Sequence, residues 1–359
     1  MTDPGAPART PAHPWGRPPD AGAMAGTCQR ADRPAAILPG WRPRPTHRTL
    51  GAPGAKVALA LTALYIVWGS TYLAIRVAVG TIPPFTQGSI RFLIAGTILY
   101  LATARGWAGE PRPGRREWRD AAIIGGFLLL GGNGLVALGE TTVGSGIAAL
   151  LIATLPLWVA ILGRLFFNLR LSRSTLVGIG LGFAGVGALV WPAGGSAPVD
   201  PVGAVILLGS PILWSIGSLY SARAHLPARP LVGVAMQMLC GGAMLGVVAI
   251  LTGEVSRFHP AAVTPESVAA VAYLVAVGSL IGFTAYGWLL RVAPLPLVAT
   301  YAYVNPIVAV ALGALILGEP VTPRTLLAGA IIIVAVAIIV WTRGREPVPP
   351  RPEEVIEAT

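Results

Sequence analysis

The chain has 359 residues, of which 54% are hydrophobic and 11% charged, against about 25% charged residues in an ordinary soluble domain. With a mean hydropathy of +0.69, no soluble core of this length buries so much apolar side chain, which excludes an ordinary soluble enzyme or binding domain and makes lipid the solvent. The net charge of +11 does not indicate a nucleic-acid partner, because the basic residues sit between apolar runs rather than on one face.

Residues 1–53 are crowded with Pro, Gly, Ala and Arg and show neither helical nor strand periodicity. That is the composition of a segment unable to offset its ordering entropy, so a disordered basic cytoplasmic tail is expected, with Met24 as an alternative start. The tail lacks the apolar h-region of a secretory signal. From Val57 onward, apolar stretches long enough to cross ~30 Å of hydrocarbon recur: 57–79, 86–104, 121–139, 143–163, 175–191, 203–221, 231–251, 268–290, 296–317 and 324–342. The fold class they predict is an all-α polytopic membrane protein of ten transmembrane helices, in units 57–191 and 203–342. The short break from Glu140 to Val143 is where the third and fourth helices could be read as one. Residues 343–359 are polar and Pro-rich and are expected as a second disordered cytoplasmic tail.

Orientation follows from the arginines, since short cytoplasmic loops retain basic residues. With both termini inside, the inner segments hold the N-terminal tail arginines with Lys56, then Arg105, Arg112, Arg115, Arg116, Arg119, Arg164, Arg170, Arg173, Arg223, Arg229, Arg291, Arg343, Arg345 and Arg351, and the outer loops keep only Arg257 and Arg324. The second half also repeats the first. Sliding 121–191 onto 271–341 without a gap aligns Pro156 with Pro306, Leu162-Gly163 with Leu312-Gly313, Thr175-Leu176 with Thr325-Leu326 and Val190-Trp191 with Val340-Trp341. Trp68 has a counterpart in Trp214 at a slightly shorter offset. Five helices per unit is an odd number, so the copies face opposite ways, an arrangement whose site lies near the midplane between the halves.

The runs from Trp68 to Leu101 (WGSTYLAIRVAVGTIPPFTQGSIRFLIAGTILYL) and from Val304 to Trp341 (VNPIVAVALGALILGEPVTPRTLLAGAIIIVAVAIIVW) resemble the two repeats of EamA-type members of the drug/metabolite transporter superfamily. The resemblance covers about residues 57–341. It implies ten helices in two inverted five-helix repeats, with export or exchange of amino acids or related metabolites. One departure is visible. Where the first repeat of the family usually reads like G-E-R-L-S, this chain has Asn168-Leu169-Arg170-Leu171-Ser172, and the acid survives only as Glu319 in the second repeat.

Several motifs carry a bland reading beside a functional one. Gly180, Gly182 and Gly185 match the G-x-G-x-x-G that cradles a pyrophosphate after a strand; inside an apolar span they predict a helix-packing face instead. Cys28 and Cys240 offer no disulfide framework or metal spacing. His13, His47, His225 and His259 fall in tails or loops, so no Ser–His or His–Asp constellation is expected within the membrane and an intramembrane enzyme lacks its base. No cofactor, metal or catalytic residue is expected.

The substrate-binding candidates are uncharged or basic. Pro156 and Pro306 each remove a backbone donor in mid-helix, which marks either packing kinks or a cavity that satisfies the freed carbonyls. Tyr301 and Asn305 share one helix face, while Trp68, Ser70, Thr71 and Tyr72 form a cluster at mid-depth, below any interfacial aromatic belt. These are read as cavity lining, with helix–helix contact as the alternative. Asn133, Trp214, Ser218 and Tyr286 are further candidates. Arg76 and Arg91 lie within the first two helices at what is expected to be one common level near the outer end; they either snorkel to headgroups or offer a forked donor to a substrate carboxylate or phosphate. Glu140 and Glu319 are expected at the outer ends of helices 3 and 9, so proton antiport, exchange and facilitation stay open. The function these residues support is an inner-membrane carrier of a small-molecule substrate, as a monomer or homodimer in the lipid bilayer; an intramembrane enzyme, a passive channel and a scaffold are the alternatives.

Overall fold

The computed structural model describes residues 54–104, 112–167, 171–191, 199–293 and 295–343. The expected tails, apart from Arg343, and the Asn168–Arg170 stretch lie outside the described residues. Among the described residues the secondary structure is helical, and nine helices are long and apolar enough to cross a bilayer. They are α1 (Gly54–Ala78), α2 (Pro84–Ala104), α3 (Arg115–Gly139), α4 (Ser145–Phe166), α5 (Arg173–Val190), α6 (Pro201–Ser221), α7 (Pro230–Leu251), α8 (Pro265–Leu289) and, after the shorter apolar α9 (Tyr301–Leu317), α10 (Pro323–Arg343).

The starts follow capping chemistry. Ser172, Asp200 and Thr264 accept the amides of Thr175, Gly203 and Ser267 at 3.1, 2.8 and 3.3 Å, and Pro201, Pro230 and Pro265 occupy first-turn positions where no amide is needed. The break between α3 and α4 is real: a turn over Glu140–Val143 ends one helix, and Gly144, in extended backbone, begins the next. The ninth stretch departs from expectation. Instead of one helix over 296–317, a short helix Leu295–Val298 is followed by a turn at Ala299–Thr300 before α9. Pro296 brings no backbone donor, and the Thr300 hydroxyl donates to the Leu297 carbonyl at 2.6 Å, closing the turn locally.

The packing repeats with the sequence. α2 packs on α7 and α5 on α10; α1 on α9 is matched by α6 on α4, and α3 on α6 by α8 on α1. When the five helices of one half are exchanged for those of the other, the first two pairs map onto themselves and the remaining four map onto one another. Both α3 and α8 contain a π-helical stretch, Gly126–Asn133 and Leu274–Ile281, a local widening that often marks functional positions in helices. The glycines of α5 form a packing face: a Cβ on Gly182 would meet Leu157 of α4, and one on Gly178 or Gly185 would meet Ile339 or Ile332 of α10. Gly180 faces open space. Large apolar side chains such as Leu59, Leu101, Leu165, Val205, Leu315 and Trp341 remain exposed around the bundle, a surface that only lipid solvates without cost.

Two buried clusters are the largest parts of the core. One joins α1, α2, α3, α7 and α8 around Phe92, Leu245 and Leu274; the other joins α4, α5, α6 and α10 around Leu157, Leu207 and Ile332. Tyr72 and Ile152 pack against both clusters, and the cavity described next opens where the two meet.

Candidate functional site

The cavity encloses about 100 Å³. Its walls come from both halves: Trp68, Thr71, Tyr72 and Ile75 of α1, Arg91 of α2, Asn133 and Val136 of α3, Ile152 and Leu155 of α4, Ser210, Pro211 and Trp214 of α6, Phe283 of α8, and Tyr301 and Asn305 of α9. The spacing Trp68, Thr71, Tyr72, Ile75 is one helical face, which is why a single helix supplies four side chains.

Aromatic rings crowd one wall. Trp68 lies 5.0 Å from Tyr301, 5.1 Å from Tyr286 and 5.7 Å from Phe283 between ring centroids, within the range of edge-to-face and tilted pairs. The Asn305 amide nitrogen, oriented to satisfy both ends of the group, reaches the carbonyls of Tyr65 at 3.3 Å and Tyr301 at 3.2 Å. It thus ties α9 to α1 while bordering the cavity, so lining and helix-joining coexist in this residue.

Arg91 is the charge of this site. It is 4% exposed, its Nε donates to the Ser279 hydroxyl at 3.0 Å in the second π-helical stretch, and no carboxylate among the described residues forms an ion pair with it. Arg91 and Arg76, expected together at one level, have different surroundings. Arg91 borders the central cavity, whereas Arg76 lines a separate cleft with Thr141, Gly144 and Glu319 and donates to the main-chain carbonyl of Glu140.

Ser70, Pro156, Ser218, Tyr286 and Pro306 do not line the cavity. Ser70 turns to the Val67 carbonyl and the Tyr273 hydroxyl, at 2.9 and 2.6 Å. Tyr286 backs Trp68. The paired prolines are not equivalent in their surroundings, since Pro156 follows a break in α4 at Ala153–Thr154 whereas α9 runs unbroken through Pro306. Unforeseen in the sequence were Ser210 and Pro211, which border the cavity on the Trp214 face of α6. Pro211 lies inside a helix, and that is the signal that marks it.

Each end of the bundle carries a buried acid. At the end holding the α1–α2, α3–α4 and α9–α10 connections, Glu140 follows the last residue of α3, at the helix end as expected, and is 0% exposed. Gly318, at φ 65°, lets the chain reverse after α9 so that Glu319 accepts the amides of Ser145 at 2.7 Å and Gly146 at 3.0 Å, an anion on the positive end of α4. A Cβ on Gly313 would stand 2.5 Å from that carboxylate, so only glycine fits there. Nearby, the Thr142 hydroxyl and the Gly203 amide hold Asp200 below the ordinary carboxylate range. At the opposite end, Asp120 accepts from Arg119, from the Tyr220 hydroxyl at 3.0 Å and from the main-chain amide of His225 at 2.7 Å; the His225 ring nitrogen stands 3.1 Å away. A His–Asp pair therefore does form at a membrane end, where the sequence had placed His225 in a loop without a partner.

Two repeated halves meeting at a cavity whose buried Arg91 has no carboxylate partner among the described residues, in a bundle of membrane-length helices, define a membrane transporter. The EamA-like transporter family model matches residues 55–191 and 201–341, and the chain belongs to that family. It is similar to the inner membrane transporter YedA of Escherichia coli strain K12, 38% identical over 294 residues that span 82% of this chain and 92% of the relative. A probable terminal-alkyne amino-acid exporter of Streptantibioticus cattleyicolor is 28% identical, covering 79% of this chain and 93% of its own. A probable amino-acid metabolite efflux pump of Salmonella typhimurium is 25% identical, covering 75% and 89%. One crystal structure, 23% identical, superposes with a TM-score of 0.55 over 82% of this chain and 99% of its own, a likeness of fold.

Proposed function

We propose that this transporter is an alternating-access carrier of the inner membrane that exports or exchanges amino acids or related small metabolites bearing a carboxylate. The observation that carries the reading is Arg91: a guanidinium brought to the cavity wall without a carboxylate partner, where a charge is retained only for a purpose that offsets its desolvation. A substrate carboxylate supplies the missing counter-ion, and the rings of Trp68, Phe283 and Tyr301 supply a surface for the rest of the molecule. Two relatives whose names mention amino acids or their metabolites support the same class.

Both termini face the cytoplasm in this reading. Arg112, Arg115, Arg116, Arg119, Arg164, Arg223 and Arg229 then lie inside, and the Glu140 end, with Asp200, Glu254 and Glu319, faces out. The walls of the cavity come from one chain, so a homodimer adds nothing to them.

Counterflow in proteoliposomes tests the reading. With a panel of labelled amino acids and their decarboxylated amines, Arg91→Lys should raise KM for the acids on the order of tenfold or more, the worth of a charged hydrogen bond of about 1.5–3 kcal/mol. The amines should be unaffected. Equal losses for acids and amines would assign Arg91 to helix packing.

A further inference from the structure

The layer between the cavity and the Glu140 end holds a group that substrate binding does not use. Tyr72 and Val136 border the cavity, and four residues further along the same faces stand Arg76 and Glu140. That is one helical turn, or ~5 Å, nearer the outer end. Both Glu140 carboxyl oxygens are buried without a hydrogen-bond partner among the described residues. Arg76 directs a donor to the main-chain carbonyl of Glu140 rather than to its carboxyl group.

The charged groups acting on Glu140 are the Glu319 carboxylate and the Arg76 guanidinium, with the Tyr72 hydroxyl on the cavity side. Glu319 is already engaged with the amides of Ser145 and Gly146, and Asp200 with Thr142 and Gly203. A carboxylate that is dry, lacks donors and has a second carboxylate beside it is disfavoured as an anion. A neutral carboxyl group in the same place leaves a smaller desolvation cost.

We propose that Glu140 is a proton-binding site that locks the outer seal of the carrier. It takes one proton from water in the outer cleft as the layer closes and returns that proton to water when the layer opens, whereupon the ionised carboxylate pairs with Arg76. Opening toward the outside thus requires proton release, which ties the transport cycle to external pH. The inference rests on the orientation given above and is independent of the substrate.

The test reads the seal directly. In the full chain with Cys28 and Cys240 replaced by Ser, a cysteine at Ile75, on the cavity wall, is labelled in intact cells with an impermeant thiol reagent across a range of external pH. A cysteine at Thr141, in the cleft outside the seal, corrects for the intrinsic pH dependence of thiol reactivity. Labelling of Ile75→Cys relative to Thr141→Cys should rise several-fold toward alkaline pH, and in Glu140→Gln it should stay low throughout. A flat ratio with Glu140 intact, or the same rise in Glu140→Gln, would overturn the proposal. Infrared spectra of the otherwise unmodified protein in lipid should show a neutral carboxyl band that Glu140→Gln lacks, and its absence would overturn the proposal as well. Failure of Thr141→Cys to label would fault the orientation instead, leaving the infrared band to decide Glu140.

Discussion

Asp120 and Glu140 stand at opposite ends of α3, both withdrawn from solvent, and they solve the problem of a buried acid in opposite ways. Asp120 is 1% exposed, and both of its oxygens are occupied by Arg119, Tyr220 and His225. It binds the start of α3 to the α6–α7 connection as a fixed anion. Glu140 has neighbours of both signs and no donor to its carboxyl group. Burial alone therefore does not make an acid structural; the count of donors aimed at its oxygens separates a latch from a switch.

The sharpest way to break this comparison is to neutralise each acid without changing its size. Asp120→Asn should lower unfolding stability in detergent by about 2 to 3 kcal/mol, because donors built for an anion now face an amide. The figure stays below that of a fully buried pair because the Arg119 and His225 side chains are 62% and 65% exposed and screened by water. Glu140→Gln should change stability by no more than about 1 kcal/mol, since the carboxyl group has no partner to lose. Thermal unfolding of the two variants side by side gives the answer, and similar losses would erase the distinction. An effect smaller than that of Asp120→Asn is expected at Arg76. Arg76→Gln removes the donor to the Glu140 carbonyl, at a cost of about 1 kcal/mol, and should blunt the alkaline rise in labelling of Ile75→Cys, because the ionised Glu140 carboxylate loses the guanidinium it pairs with in the open layer.

The contrast was only half legible in the sequence. The pattern of spans, the repeat and the polar-aromatic faces were readable because they rest on periodicity along one helix: Trp68, Thr71 and Tyr72, or Tyr301 and Asn305, share a face wherever the helix sits. What a face meets depends on rotation and on helices far away in the chain. Arg91 reaches the cavity because α2 turns it toward Ser279, 188 residues later, and nothing in the window around Arg91 specifies that. Glu140 read as a helix end, as indeed it is, but its burial depends on what packs there from elsewhere in the chain. Asp120 and His225 were both visible as residues, but their meeting needed the α6–α7 connection to fold back on α3. The π-helical stretches left no trace beyond their glycines.

The smallest effect should come from His225, and it tests which part of that residue makes the latch. Two of its groups approach the same Asp120 oxygen: the main-chain amide at 2.7 Å and the ring nitrogen Nδ1 at 3.1 Å. The amide is fixed by the course of the chain, while the ring belongs to a side chain 65% exposed whose contact competes with water. His225→Ala removes only the ring contact. Stability in detergent should therefore fall by no more than about 0.5 kcal/mol, the low end for an exposed polar pair, and counterflow should be unchanged. If His225→Ala instead costs as much as Asp120→Asn, the anion is held by the imidazole rather than by the backbone. The Asp120 end would then depend on a group able to gain or lose a proton, and the two ends of α3 would differ less than their geometry indicates.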